Sequence, residues 1–261
     1  MKFWKIWRGW LALNVSVEAT YRFNFFMKIL AMIVFDSFGP LLALVIYGVS
    51  SGIPGWSFEE FLLMQGLFSL TTGLVHFMFW GFAGRIVEAV RDGRYDVELV
   101  RPGNPLLLAM ATGSNMDGAP RTCVGIVVTT YALTKLGWIF SITNLFYFAA
   151  LVVSAILFFL ALQVIIAAMS FLFVKSYTLM QVFDVFTDIG KNPITVFGPI
   201  GVTVMTYLFP IGLAAFYPAQ AILGRMSPIS VLAVFGMGVL FFAASAGLWN
   251  IGLKRYTSAG G

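Results

Sequence analysis

Apolar residues run through this chain in long blocks rather than in strict alternation. Six blocks approach or exceed the ~20 residues that a helix needs to cross a bilayer. They cover 29–49, 61–84, 119–139, 145–174, 198–216 and 229–253. Backbone polar groups in lipid must be satisfied internally, so unbroken runs of this length predict helices rather than strands. The third block is the weakest, with Arg121 at its start and Lys135 near its end. The fourth is the longest, which predicts a tilted helix or one that continues past the bilayer. The expected fold is an all-α membrane protein of six transmembrane helices.

A different periodicity precedes the first block. At 100° per residue, Lys2, Lys5, Arg8, Ser16 and Thr20 share one arc. Phe3, Trp4, Ile6, Trp7, Trp10, Leu11 and Leu13 fill the other side, interrupted beyond it by Asn14 and Glu18. A basic arc opposite a tryptophan-rich one predicts an amphipathic helix lying in the membrane interface over residues 1–28. Lys5, Arg8, Glu18 and Arg22 interrupt this region, and no small-x-small site follows, so a cleavable signal is not expected.

Composition agrees with lipid as the solvent. Hydrophobic residues make up 60% and charged residues 10% of 261, and there are 27 Phe; a soluble domain carries roughly 25% charged residues. The single Cys123 excludes an internal disulfide framework, and the single His76 excludes a H-E-x-x-H metal site. The formal charge of +5 is therefore read through its sidedness rather than as a nucleic-acid footprint, and no nucleic acid partner is expected. With six spans and the N-terminus inside, 14 of the 16 Lys and Arg fall on the inner side, Lys175 and Lys191 among them; Lys135 and Arg225 are the exceptions. Both termini are expected on that side, with a permease body at 29–253 and a tail at 254–261.

The connections differ in kind. Outer loops are short or apolar, whereas residues 85–105 read RIVEAVRDGRYDVELVRPGNP. Here Arg85, Arg91, Arg94 and Arg101 balance Glu88, Asp92, Asp96 and Glu98. Two short helices fit, one stopped after Asp92 by Gly93 and the other by Arg101-Pro102. Such dense alternating charge predicts a structured cytoplasmic elbow that touches another protein; the alternative is a solvated loop.

Enzymatic readings fail on geometry. Gly48-Val49-Ser50-Ser51-Gly52 matches G-x-S-x-G, but it closes a helix instead of opening one. His76 lies about 22 Å down the next span by helical rise. Gly190-Lys191-Asn192 lacks the remaining residues of a phosphate-binding loop. For ion-coupled transport the ionisable residues inside spans matter most. Asp36 and His76 stand about 10 and 12 Å from the inner ends of the first two spans, so a hydrogen-bonded pair is one expectation and two separately solvated side chains the other. An ATPase-independent carrier or a membrane scaffold is the alternative class of function.

Three stretches resemble the type 2 ABC-exporter permeases, in particular drug- and viologen-exporter-like ones. They are Gly93-Arg94-Tyr95-Asp96 through Leu99-Val100-Arg101-Pro102, Asn192-Pro193-Ile194, and Phe209-Pro210 followed by Tyr217-Pro218-Ala219 and Leu223-Gly224. Lys191-Asn192 departs from the family's Arg–aromatic pair. The resemblance implies an exporter subunit in a bacterial cytoplasmic (inner) membrane. Its elbow would be a coupling helix, with Glu88, Arg91, Asp92, Arg94, Tyr95, Asp96, Glu98 and Arg101 meeting a dimer of ABC ATPase subunits. A second permease subunit, identical or homologous, would complete the path within membrane lipid. Phe209, Pro210, Tyr217 and Pro218 would form an outer gate. This chain would bind no cofactor and catalyse nothing, with ATP and Mg held by the partner ATPase. Sparse polar residues along the spans, Thr71, Thr72, Asn144, Gln163, Thr203 and Thr206, favour an amphipathic or lipophilic cargo.

Overall fold

The computed structural model describes residues 2–173, 180, 181, 185 and 187–257. Residue 174 of the expected fourth block, Lys175 beyond it, and residues 258–261 of the expected tail lie outside the described residues. Helix α1 spans Lys2–Thr20. At Tyr21 the backbone leaves helical geometry (φ −109°, ψ 53°), and α2 then runs Arg22–Val49. Helix α3 covers Phe58–Phe79 and starts at a capping box, in which Ser57 accepts from the Glu60 amide and Glu60 accepts from the Ser57 amide. Next come α4 (Gly81–Arg91), α5 (Tyr95–Leu99) and α6 (Pro105–Ala111), the last capped by Asn104. Helix α7 is Gly118–Lys135 and α8 is Ile142–Ser170.

Four of the described helices, α2, α3, α8 and the last one, Pro228–Arg255, are long and apolar enough to cross a membrane. Helix α7 has 18 residues and carries Arg121 and Lys135, the two charges that weaken it in the sequence. The fifth expected block does not form one helix. It divides into α9 (Gly198–Thr203), a π turn at Val204–Leu208, a 3-10 turn at Ile211–Leu213 and α10 (Phe216–Ile222), followed by α11 (Pro228–Arg255). Pro210 has no amide to donate, and Phe209 adopts φ −126°, ψ 83°, so the helical ladder ends there.

Two seams hold the body together, and both are built from small residues. In lipid, helices associate through close packing rather than through exclusion of water. Gly66 and Gly73 of α3 face Thr129 and Thr122 of α7, while Gly118 and Gly125 of α7 face Phe77 and Leu70 of α3. A Cβ at Gly125 would lie 2.3 Å from the Leu70 amide nitrogen, and one at Gly118 would lie 2.1 Å from that of Phe77. The seven-residue spacing on both strands of this seam keeps the two backbones in contact along its length. In the second seam, a Cβ at Gly238 of α11 would stand 2.4 Å from Ser154 Oγ of α8, and that hydroxyl donates to the Val234 carbonyl at 3.1 Å. Phe158 and Phe241 continue it edge to face at 5.7 Å.

Helix α2 is the contrast. Only Ala43 of its 28 residues is buried, and Phe23, Phe35 and Val49 are 79, 72 and 81% exposed. Its hold on the body is confined to a few points, among them a close approach at Gly39 to Gln65, ion pairs of Lys28 with Asp117 and of Asp36 with Arg121, and Tyr47, whose hydroxyl donates to the Trp56 carbonyl at 3.0 Å.

Candidate functional site

The charged segment 85–105 holds the later turns of α4 and the whole of α5, separated at Gly93. Gly93 sits at φ 70°, where a side chain would be strained. Tyr95 anchors the second helix. It is 2% exposed and packs against Phe171 at 5.0 Å and Tyr256 at 5.5 Å, so burial pushes its phenol well above the usual range. Around this anchor the charges turn outward. Asp92 accepts from Arg94 at 2.7 Å and from Arg91 Nε at 3.1 Å, and these two bonds hold its carboxyl below the ordinary value. Arg101 donates to Glu98 at 2.9 Å. Glu88 is exposed on the last turns of α4, and Asp96 is half-buried beside Tyr256, whose phenol is raised first by burial and then by that carboxylate. Val97 and Val100 are 63 and 81% exposed among these charges. A rigid aromatic root thus carries a surface that is part ionic and part apolar, the composition of a reversible interface.

Arg85 takes a separate course. It turns into the body, donates to the Thr112 carbonyl at 3.2 Å, the Ala109 carbonyl at 3.4 Å and the Thr112 hydroxyl, and lies 5.1 Å from the Trp10 ring. Helix α1 is seated here too: Trp7 Nε1 donates to the Met78 carbonyl at 3.2 Å, and Asn14 Nδ2 donates to the Ser114 carbonyl at 2.9 Å. Asn14, a flaw in an amphipathic pattern, is in fact a docking contact.

At the other end of α3, Phe209 and Pro210 stand before an interrupted stretch of chain and Tyr217 and Pro218 after it. Pro210 and Pro218 are buried, Phe209 is 40% exposed, and the Tyr217 hydroxyl meets Thr206 Oγ1 at 2.7 Å across the break. Thr71 of α3 donates to the Ala214 carbonyl at 2.6 Å, which fixes the deepest point of the loop against the body. Glu60 and Arg225 pair at the start of α3, and Trp138 Nε1 donates to the Ile222 carbonyl at 2.8 Å.

Asp36 and His76 do not pair. Asp36 meets Arg121 Nε at 2.9 Å, and His76 stacks on Trp80 with centroids 3.8 Å apart and planes at 18°. Arg121 projects from α7 within reach of Asp36 and offers it a full charge.

Lys191 also differs from expectation. Gln65 Nε2 donates to its carbonyl at 2.8 Å. Gln65 is about 10 Å from the Phe58 end of α3 and about 21 Å from the Phe79 end, by helical rise. Lys191 therefore lies beside the body of α3, away from the elbow, and not in a connection on the elbow side. Charge counting assigns loops to sides and cannot detect a lysine within the transmembrane body. Its ammonium pairs with Asp188 at 2.6 Å and sits 5.6 Å from the Phe68 ring. The Asp188 side chain is 67% exposed. This ion pair, missed in the sequence, has one legible signal: opposite charges three residues apart ahead of Asn192-Pro193. Among the described residues, no group of His, Cys, Asp and Glu is arranged to hold a metal ion.

Comparison with known proteins adds one finding. A family model described as ABC-2 family transporter protein matches residues 30–260. Neither the search of curated proteins nor that of solved structures returns a match.

Proposed function

The chain belongs to the ABC-2 family of transporter proteins, whose membrane components work with ABC ATPase partners, and from this we propose that it is the permease subunit of an ATP-binding cassette exporter. In this reading six segments cross the membrane, both termini and the elbow face the cytoplasm, and a second permease subunit completes the path. ATP and Mg are handled by the partner ATPase.

The observation that carries this reading is the elbow. Tyr95 is rooted between Phe171 and Tyr256, while Arg91, Asp92, Arg94, Val97, Val100 and Arg101 are turned away from the body. Force can pass through such a unit because its base is packed and only its outer surface is free to bind. Closure of the ATPase pair shifts the elbow, and differential binding to the two arrangements changes their populations. The Asp188–Lys191 pair and the Thr206–Tyr217 contact lie on the cargo's route, where an amphipathic molecule with an apolar body meets a few polar groups.

The test exploits Cys123, the one cysteine. In a Cys123→Ser background, Val97→Cys should cross-link to the co-expressed ABC ATPase, while Val49→Cys should not. Failure of Val97→Cys to cross-link in an assembly that still co-purifies would remove the elbow from the interface. Absence of any co-purifying ATPase would remove the exporter reading itself.

A further inference from the structure

The seat of α1 leaves a cavity that the transport reading does not use. It has a volume of about 250 Å³ and is lined by Trp10, Asn14, Glu18, Arg85, Ser114 and Asn115, with Val17 and Met116 also contributing to its wall. Its two charged walls are opposite in sign. On one wall Arg85 directs its two terminal nitrogens to Ala109 and Thr112 and, among the described residues, leaves Nε without a bonding partner. On the other, Glu18 belongs to a group in which Lys28 meets Glu18 at 2.9 Å and Asp117 at 2.5 Å. Lys28 is shared between two carboxylates, so Glu18, the member of the group that lines the cavity, keeps part of its negative charge. Asn14 Oδ1 and Asn115 Nδ2 add an acceptor and a donor, since Asn14 bonds Ser114 through Nδ2 and Asn115 accepts from the Asp117 amide through Oδ1.

From this arrangement we infer a binding site for a zwitterionic phosphoethanolamine group, carried by a membrane phospholipid. The phosphate accepts from Arg85 Nε–H and Asn115 Nδ2, and the primary ammonium donates to Glu18 and Asn14 Oδ1. A purely anionic headgroup leaves the negative wall uncompensated. A choline headgroup has the charge but no N–H to donate, so it is second best. The source is lipid because the cavity opens beside α1, whose Trp4, Leu13 and Val17 are 56, 53 and 52% exposed and suit the level of headgroups and upper acyl chains. Bound there, the lipid joins α1 to α4 and the 112–116 loop. The inference is independent of cargo and of the ATPase.

Native mass spectrometry of the purified full chain, with dioleoyl-phosphatidylethanolamine, -phosphatidylcholine and -phosphatidylglycerol added in turn, tests it. Phosphatidylethanolamine should bind tightest. Arg85→Gln or Glu18→Gln should each weaken it by about tenfold, the loss of one charge-assisted hydrogen bond. Glu18→Gln should at the same time improve phosphatidylglycerol. Because Arg85 also supports the fold, Val17→Trp is the second variant: it starts from an exposed side chain, breaks no bond and fills the mouth, and it should abolish retention. Soluble glycerophosphoethanolamine should compete only at far higher concentration; equal competition would overturn the lipid assignment. Equal retention of the three lipids, or retention unaffected by Val17→Trp, would overturn the site.

Discussion

Asp36 of α2 and Arg121 of α7 form an ion pair at 2.9 Å, with side chains only 11 and 30% exposed. It is one of few attachments of a helix that is otherwise almost uncovered. Removing one partner strands a charge away from water, which is more costly than never having had the pair. Arg121→Leu should therefore lower stability by about 3 kcal/mol, and Arg121→Leu with Asp36→Leu should recover most of it. Unfolding of the purified protein in detergent measures both.

The α3–α7 seam makes a sharper prediction about size than about polarity. Gly118→Ala or Gly125→Ala forces backbone against backbone and should cost about 2 kcal/mol or more. Gly9→Ala and Gly236→Ala, where a Cβ meets nothing within 4 Å, should be neutral or slightly stabilising. Four melting curves decide it, and equal shifts at all four positions would argue against the seam.

The pH behaviour of the elbow follows from Asp92. Hydrogen bonds from Arg94 and Arg91 depress its folded pKa. The contribution of this cluster is thus complete above the ordinary carboxylate range and is lost as pH falls through the depressed value. Hydrogen exchange over residues 93–100, corrected for intrinsic rates, should be flat from neutral pH to about pH 5 and rise only below the ordinary range. Asp92→Asn should remove the transition. A transition near neutrality would assign it to another group.

Lys191 and Asp188 test the route of the cargo. Lys191→Met leaves Asp188 unpaired, whereas Lys191→Met with Asp188→Leu removes both charges. Both variants should assemble with the ATPase. The single variant should lose cargo-stimulated ATP hydrolysis by at least about tenfold relative to wild type, more than the double, because an uncompensated charge at that depth is the larger disturbance. Full stimulation in both would place the pair off the route.

Much of this was legible residue by residue. Gly93 announces the turn inside the elbow; the Ser57–Glu60 cap and the missing donor at Pro210 are equally local signals, yet hydrophobic runs alone start the second span at 61 and carry one helix through 198–216. Each is a local rule about caps, φ or a missing donor. Partners were not legible, because they depend on which helices adjoin and at what register. Asp36 is 85 residues from Arg121 in the chain, and nothing local chooses that arginine over His76. The depth of Lys191 was hidden for the same reason: its position is set by Gln65, 126 residues earlier. Asn14 read as a blemish because a helical wheel shows one helix and not the loop it docks on.

The joint between α3 and α4 has its own consequence. Trp80 keeps helical dihedrals, yet the Gly81 amide donates to Gly113 at 2.8 Å and the Asn115 amide donates to Phe77 at 3.2 Å. The bend is thereby stitched to the strap of chain that leads into α7. A push delivered at the elbow cannot be absorbed by flexing there. In the proposed exporter it would have to be shared by two zipped helices at once, as the tilt of a yoked pair.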